Sequence, residues 1–294
     1  MALPLVVGVD GSDASLRAVE WAAHEAALRG YELRLVHASL WEKYEGDELA
    51  EAPNTRPGRG DLSERILRAA VTRAAGRHPE VKVSVDALAE DPETALLRAA
   101  RNAVAVVTGR RGRGPVQELL LGSVSLALAA HAQCPVIVVR GDEAGLSGRH
   151  ERILLGVGDA DSAGSAVRFA FAEAEARHCV LDAVRAWRTP TLETPQQHPL
   201  LTGEPAPRFQ RDAQNLLDSA LHGPAQTHPH VQVRAVTVEG PARRILIDRS
   251  AAADLLVVGA RRRHGHFGLQ LGRVGHAVLH HADCPVAVVP QHGS

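Results

Sequence analysis

The chain is poor in features that mark several common classes of protein. Its 294 residues include three cysteines, one methionine and only 3% aromatic residues. So few cysteines exclude a disulfide-rich scaffold and favour reduced thiols in a cytoplasmic protein. The formal net charge of −1 gives no electrostatic reason to expect nucleic acid or an acidic membrane as a partner. No apolar run approaches the roughly 20 residues of a membrane helix.

Several catalytic and nucleotide-binding motifs are also missing. The only lysines are Lys43 and Lys82, so the Gly-x4-Gly-Lys-Ser/Thr motif of P-loop ATPases does not occur. No serine lies in a Gly-x-Ser-x-Gly nucleophile elbow. Gly156-Val-Gly158 resembles the start of a dinucleotide fingerprint, but Asp161 stands at the third glycine position. The apolar start of the chain lacks a basic leader, so we expect no signal peptide.

The plan of the chain occurs twice. The clearest match joins residues 131–139, His-Ala-Gln-Cys-Pro-Val-Ile-Val-Val, to residues 281–289, His-Ala-Asp-Cys-Pro-Val-Ala-Val-Val. A repeat of about 150 residues is a duplicated domain rather than a solenoid unit. The sequence therefore predicts one domain over 1–140 and a second over 151–290. Residues 141–150 are polar and glycine-rich, and are interpreted as the linker.

In the first half, apolar runs typical of strands alternate with helix-like periodicity. Predicted strands cover Leu5–Val9, Leu33–Ala38, Val81–Leu88, Val104–Thr108 and Pro135–Val139, and predicted helices run from Ser12 or Asp13 to Gly30, over Leu62–Ala75, over Pro92–Asn102 and over Ser123–Ala132. Residues 41–60 are rich in polar residues, glycine and proline, and are interpreted as a mobile loop. Fully apolar strands need cover on both faces. We therefore predict two tandem doubly wound α/β domains, each a five-stranded parallel sheet with helices on both faces.

The most informative motif is Gly109-Arg-Arg-Gly112, nine further residues, and then Gly122-Ser123. It lies between a predicted buried strand and a predicted helix. Glycine lets a backbone approach an anion closely, and the unpaired N–H groups and dipole of a helix start attract phosphate. Arg110, Arg111 and Arg113 add positive charge beside the turn. The motif predicts a nucleotide site.

Two other strand ends belong to the same predicted site. Asp10 and Ala38 end their strands as Gly109 ends its own, and open α/β sheets bind ligands beyond the carboxyl ends of their strands. We expect the three residues to converge on one crevice. A carboxylate such as that of Asp10 suits the hydroxyl groups of a ribose.

These patterns resemble the universal stress protein family. The resemblance rests on Gly-x2-Gly-x9-Gly-Ser, on residues 9–12, Val-Asp-Gly-Ser, and on the Cys-Pro-Val start of each final strand, and it covers essentially the whole chain as two tandem domains. It implies an α/β fold that binds adenine nucleotides, with ATP, alone or with Mg²⁺, as the expected ligand. By resemblance, Asp10 lies near the adenine or ribose, and the backbone around Gly8 and Ala38 lines the base. Gly109 and Gly112 let the chain wrap the ribose and phosphates. The phosphate oxygens are held by Gly122, Ser123 and the N–H of Val124.

The second half departs from this pattern at three positions. Gly158 takes the place of Asp10, with Asp159 one position late, while Arg262 replaces Gly112 and Arg273 replaces Ser123. Arginine at a glycine position restricts the backbone, although it can itself pair with phosphate. We expect the second domain to bind ATP weakly or not at all and to serve the first as a structural or regulatory partner.

A metal site is not expected. His276 and His280 lie four residues apart and Cys284 follows four residues later, which is metal-ligand spacing. However, Cys284 precedes Pro285 at the start of the last strand, beyond the helical spacing, and its repeat mate Cys134 has no such histidine pair.

The function expected from these observations is an ATP-binding stress-response protein that is gated by its ligand rather than catalytic. In this view, ATP orders the glycine loop and residues 41–60, and so changes a surface that a regulatory protein partner binds. A nucleotide-free structural or interaction module is one alternative. Another is an enzyme that slowly hydrolyses ATP, through Asp10 and Ser123, or transfers adenylate. The tandem repeat supplies an intrachain domain pair, and the resemblance also implies a homodimer. From the charge balance and the lack of a membrane-length apolar run, no nucleic acid or membrane partner is expected.

Overall fold

The computed structural model describes residues 3–40, 60–110, 121–158, 164–189, 205–261 and 271–291. Gly112, Asp159 and Arg262 lie outside the described residues, as does nearly all of the loop predicted at 41–60. The chain forms two compact units. Of the described residues, the first unit holds those up to Arg140 together with Pro285–Pro290, and the second unit holds the others.

The first unit alternates strands and helices as predicted. Its strands are β1 (Leu5–Gly8), β2 (Leu33–Ala38), β3 (Val83–Leu88), β4 (Ala105–Gly109) and β5 (Val136–Val139), and its helices are α1 (Asp13–Arg29), α2 (Gly60–Arg77), α3 (Pro92–Ala100) and α4 (Ser123–His131). The strands lie in the order β3-β2-β1-β4-β5, and all of their pairings are parallel. The chain's last strand, β10 (Val286–Gln291), runs antiparallel along β5.

The second unit repeats this plan. Its elements are α5 (Glu143–Leu146), β6 (Arg152–Gly156), α6 (Gly164–Ala176), β7 (Val180–Trp187), α7 (Pro205–Thr227), β8 (Val233–Glu239), α8 (Ala242–Ser250), β9 (Leu255–Arg261) and α9 (Arg273–His281). Strand β6 pairs in parallel with β7 and β9, and β7 pairs in parallel with β8. The prediction of tandem doubly wound α/β domains is confirmed. The segment interpreted as a linker contains the one-turn helix α5.

Helix α1 begins and ends where its capping residues predict. The Ser12 side chain accepts a hydrogen bond from the N–H of Ser15 and so caps the helix start. Gly30 ends the helix with a left-handed φ of 67°. Trp21 is only 4% exposed and packs in the core. The helix thereby links the end of β1 to the start of β2 across one face of the sheet.

The three cysteines are buried, and none is in a disulfide. Burial raises the pKa of Cys134 and of Cys179 to about 11. We therefore expect negligible labelling of the folded protein by a maleimide at neutral pH, because the thiolate is the reactive form. Mass spectrometry should show three labels per chain after unfolding in urea. Rapid labelling of the folded protein would show that these thiols are accessible and ionised.

Candidate functional site

The predicted strand ends do meet at one edge of the first sheet. Strand β1 lies between β2 and β4, with Gly8 beside Val36 and Val7 beside Val107. Asp10, Ala38 and Gly109 therefore leave the sheet at its carboxyl edge on three adjacent strands. This is the crevice in which an open α/β sheet binds its ligand, and we call it the first crevice.

Asp10 is held in a fixed orientation at this edge. Its Oδ1 accepts hydrogen bonds from the backbone N–H of Ser12 at 2.9 Å and from the Ser12 hydroxyl at 2.6 Å. Its own backbone N–H points to Ser15 Oγ at 3.4 Å. The carboxylate is half-buried and is tied to the start of α1. It is a pre-oriented hydrogen-bond acceptor for ligand hydroxyl groups.

Two of the predicted glycines pack against neighbouring elements. A Cβ on Gly109 would lie 2.5 Å from the carbonyl oxygen of Ala14, in the first turn of α1. A Cβ on Gly8 would lie 2.8 Å from Leu96 Cδ1 on α3. Both glycines let helices approach strand ends closely, which is a reason for glycine that the sequence motif did not supply. They shape the crevice by bringing its walls together.

The start of α4 differs from the starts of α1 and α3. Helix α1 is capped by Ser12, and α3 is capped by Asp91, which accepts from Thr94 N at 3.0 Å. Gly122, the N-cap of α4, provides no side-chain cap. The first N–H groups of a helix have no partner within the helix. The start of α4 thus presents donors and a positive dipole end at the loop that follows β4.

The loop between β4 and α4 is closed at its base. The N–H of Gly122 donates to the carbonyl of Arg110 at 2.9 Å, so this N–H is engaged within the protein. The remaining predicted donors in the first turn are the N–H groups of Ser123 and Val124. Ser123 is exposed and Val124 is half-buried, as anion contact at a helix start requires.

A pair of buried hydroxyls fixes α4 on the end of β4. Ser125 Oγ donates to the carbonyl of Gly109 at 3.0 Å, and Thr108 Oγ1 lies 3.1 Å from Ser125 Oγ. Thr108 and Ser125 are each about 5% exposed or less. Sequence reasoning missed both residues. Their signal was polar residues at buried positions on either side of the glycine motif.

Sequence reasoning also missed His37. Its side chain is buried, and Nδ1 lies 2.7 Å from the carbonyl oxygen of Val9. Because a carbonyl only accepts, Nδ1 carries the hydrogen and donates it. His37 thus ties the end of β2 to the end of β1 beneath Asp10. The available signal was a histidine within an otherwise apolar run just before the strand end.

The matching edge of the second unit carries different groups. Gly158 occupies the position of Asp10, and Arg185 occupies the position of His37. Arg185 Nη1 donates to the carbonyl of Val157 at 3.3 Å and also to the carbonyl of Gly158. Helix α9 begins after Gly272 without a side-chain cap, and Arg273 is exposed in its first turn. We call this edge the second crevice.

The histidines considered as metal ligands lie on α9. The rings of His276 and His280 are 4.4 Å apart between centroids. Cys284 is buried beyond the end of the helix, just before β10. Across the part of the chain that is described, no group of three or more His, Cys, Asp or Glu side chains is placed to hold a metal ion.

The fold and the strand-end crevices define a tandem, doubly wound α/β protein. The Universal stress protein family matches residues 1–140 and again residues 150–290. Universal stress protein Rv2005c of Mycobacterium tuberculosis (strain H37Rv) is 34% identical over 295 residues, which cover 98% of this chain and 97% of that protein. Universal stress protein Rv2623 of the same strain is 32% identical over 291 residues, covering 97% and 96%.

The fold comparison agrees with this assignment. The crystal structure of a universal stress protein from Archaeoglobus fulgidus DSM 4304 matches with a TM-score of 0.68 at 17% identity, covering 98% of each chain. The chain belongs to the universal stress protein family, as its sequence motifs indicated. None of the helices in the described ranges is long and apolar enough to cross a membrane.

Proposed function

We propose that the first crevice binds an adenine nucleotide, with ATP, alone or with Mg²⁺, as the principal ligand. The observation that carries this proposal is the uncapped start of α4. Hydrogen bonds hold this helix start beside the end of β4, and β4 is the neighbour of β1, which Asp10 follows. A phosphate accepts hydrogen bonds, so it suits the open N–H groups of Ser123 and Val124. A ribose donates from its hydroxyls, so it suits the Asp10 carboxylate.

The same observations support binding rather than turnover. The groups of the first crevice that the geometry brings together are backbone donors, one hydroxyl at Ser123 and the carboxylate of Asp10, which Ser12 already engages. These groups hold a ligand and fix its orientation. We therefore propose a cytoplasmic, ligand-gated regulator, in which nucleotide occupancy changes a surface that a partner protein, or a second copy of the chain, binds.

The proposed stoichiometry is one nucleotide per chain. The second unit has Gly158 in place of Asp10 and Arg273 in place of Ser123, so these two positions lack the acceptor and the hydroxyl that recommend the first crevice. Of the three features that recommend the first crevice, the described residues of the second unit keep the uncapped helix start at Gly272. An uncapped helix start without a carboxylate and a hydroxyl at the equivalent positions supports weak binding at most.

Isothermal titration with ATP tests this proposal, with Gly122→Val as the decisive variant. Gly122 has φ −66° and ψ 148°, an extended conformation that valine adopts readily. The fold should therefore survive while the added isopropyl group obstructs the open start of α4. We expect one ATP per wild-type chain and at least about tenfold weaker binding in the variant, equivalent to about 1.4 kcal/mol.

Gly272→Val is the matched control, because Gly272 caps α9 in the same way and has nothing within 4 Å of an added Cβ. It should leave ATP binding unchanged. Parallel titrations with ADP and AMP would rank the phosphorylation states. Two ATP per chain would contradict the assignment to the first unit alone, and no binding of any of the three nucleotides would favour a nucleotide-free interaction module.

A further inference from the structure

The ends of β1 and β6 have the same backbone hydrogen bonds, but different side chains contact them. The N–H of Val9 donates to the carbonyl of Val36 at 2.9 Å, and the N–H of Val157 donates to the carbonyl of Val184 at 2.9 Å. The next residue after each acceptor is therefore structurally equivalent in the two units. That residue is His37 in the first unit and is arginine in the second.

The two side chains reach different distances along the strand end. His37 stops at the carbonyl of Val9. Arg185 donates to the carbonyl of Val157 and continues to the carbonyl of Gly158, the residue that stands where Asp10 stands in the first unit. The longer side chain consequently covers the position at which the first crevice presents its carboxylate.

The chemistry of the two strand ends is also inverted. Asp10 offers an acceptor with a negative charge, whereas Arg185 offers only donors and a permanent positive charge. A ribose hydroxyl can donate to the first but finds no acceptor in the guanidinium. A nucleoside placed on β6 would have to displace the guanidinium from two carbonyl groups and would find no carboxylate at residue 158 in return.

We infer that Arg185 is a specificity-determining residue that keeps a nucleotide out of the second crevice. It covers the end of β6 and substitutes a cationic donor for the acceptor of the first unit. This inference rests on the proposed function and deepens it, because it names the residue that limits the chain to one nucleotide.

The test transfers the arginine to the first unit by His37→Arg and measures ATP binding by isothermal titration. The new side chain should reach residue 10, pair with the Asp10 carboxylate and weaken ATP binding at least about tenfold. Leu28→Arg is the control for added charge, since Leu28 is 40% exposed on α1. It should bind ATP as the wild type does, and circular dichroism should show that both variants are folded.

A second variant decides the question if His37→Arg does not fold. The double substitution Arg185→His with Gly158→Asp gives the second crevice the strand-end groups of the first, and we expect it to bind a second ATP. A double variant that still binds one ATP would then overturn the inference.

Two further results would also overturn it. One is a folded His37→Arg protein that binds ATP like the wild type, and the other is loss of the single ATP in Arg185→Met, which would make the guanidinium a ligand-binding group. Failure of the proposed function is recognised separately, because the wild-type protein itself would then bind no ATP, and the inference would fall with it.

Discussion

Replacing Gly109 with alanine is expected to lower the free energy of unfolding by about 3 kcal/mol, at the upper end of the range for overpacked sites. The added Cβ would lie 2.5 Å from the carbonyl oxygen and 2.6 Å from the carbonyl carbon of Ala14. These are backbone atoms in the first turn of α1, so no side-chain rotation can relieve the contact. Either β4 or the start of α1 must shift, and urea denaturation followed by circular dichroism measures the cost.

Two other glycines provide graded controls. Gly8→Ala meets the end of the flexible Leu96 side chain at 2.8 Å, and we expect a loss of about 1 kcal/mol. Gly76 lies in α2, and a Cβ added there has nothing within 4 Å. Gly76→Ala should therefore stabilise the helix by up to about 1 kcal/mol. If Gly109→Ala were as stable as the wild type, the close approach of β4 to α1 would be wrong.

The sequence motif located Gly109 but did not show its packing role. The motif placed Gly109 at a strand end beside a ligand crevice, and the sheet order confirms that it lies at the carboxyl edge. The motif could not show that Gly109 is needed for packing, because Ala14 is distant in sequence and its approach depends on how α1 crosses the sheet. The positions of elements followed from local periodicity, whereas the contacts between them required the fold.

The same limit explains why His37 and Ser125 were missed. Each makes its contact with a strand-end carbonyl of another element, at Val9 and Gly109 respectively. Hydrogen bonds of this kind depend on strand order and on the angle at which α4 leaves the loop. Capping, by contrast, was predictable at Ser12 and Gly30, because both signals act within a few residues of the chain.

The duplication has retained packing groups more closely than crevice groups. A Cβ added at Gly156 would lie 2.8 Å from Leu246 Cδ1, just as a Cβ added at Gly8 would lie 2.8 Å from Leu96 Cδ1. Glu25 and Glu173, at matching positions on α1 and α6, are 3% and 2% exposed. The crevice residues differ instead, as at Arg185. A fold can be kept by its core while its ligand groups change, because the two sets of residues lie in different parts of the sheet.

The segment between the repeats, which its composition indicates as a linker, is also a packed part of the structure. Residues 141–150 are polar and glycine-rich, which predicted a linker. In the structure, Asp142 caps α5 by accepting from Gly145 N at 2.9 Å. The buried carboxylate of Asp254 then accepts from the N–H groups of His150 and Arg152 at 2.9 and 3.0 Å. Glycine and polar residues serve here for close approach and for capping, so the segment is packed.

Gly141→Ala should therefore be the most destabilising of these substitutions, with an expected loss of about 4 kcal/mol from strain and steric overlap together. Gly141 has a φ of +95°, and an added Cβ would lie 2.1 Å from the carbonyl oxygen of Asp283. Gly148→Ala is the matched control, since Gly148 has a φ of +71° in the same segment but nothing within 4 Å. It should lose only about 1 kcal/mol, from backbone strain alone.

The difference between the two alanine variants isolates the contact with Asp283 from the cost of a left-handed backbone. Urea denaturation of both proteins, monitored by circular dichroism, gives that difference directly. A packed segment requires Gly141→Ala to be the less stable variant by about 3 kcal/mol. Equal losses in the two variants would mean that residues 141–150 are not packed against Asp283, because a segment free to move would carry the Cβ of residue 141 away from the Asp283 carbonyl.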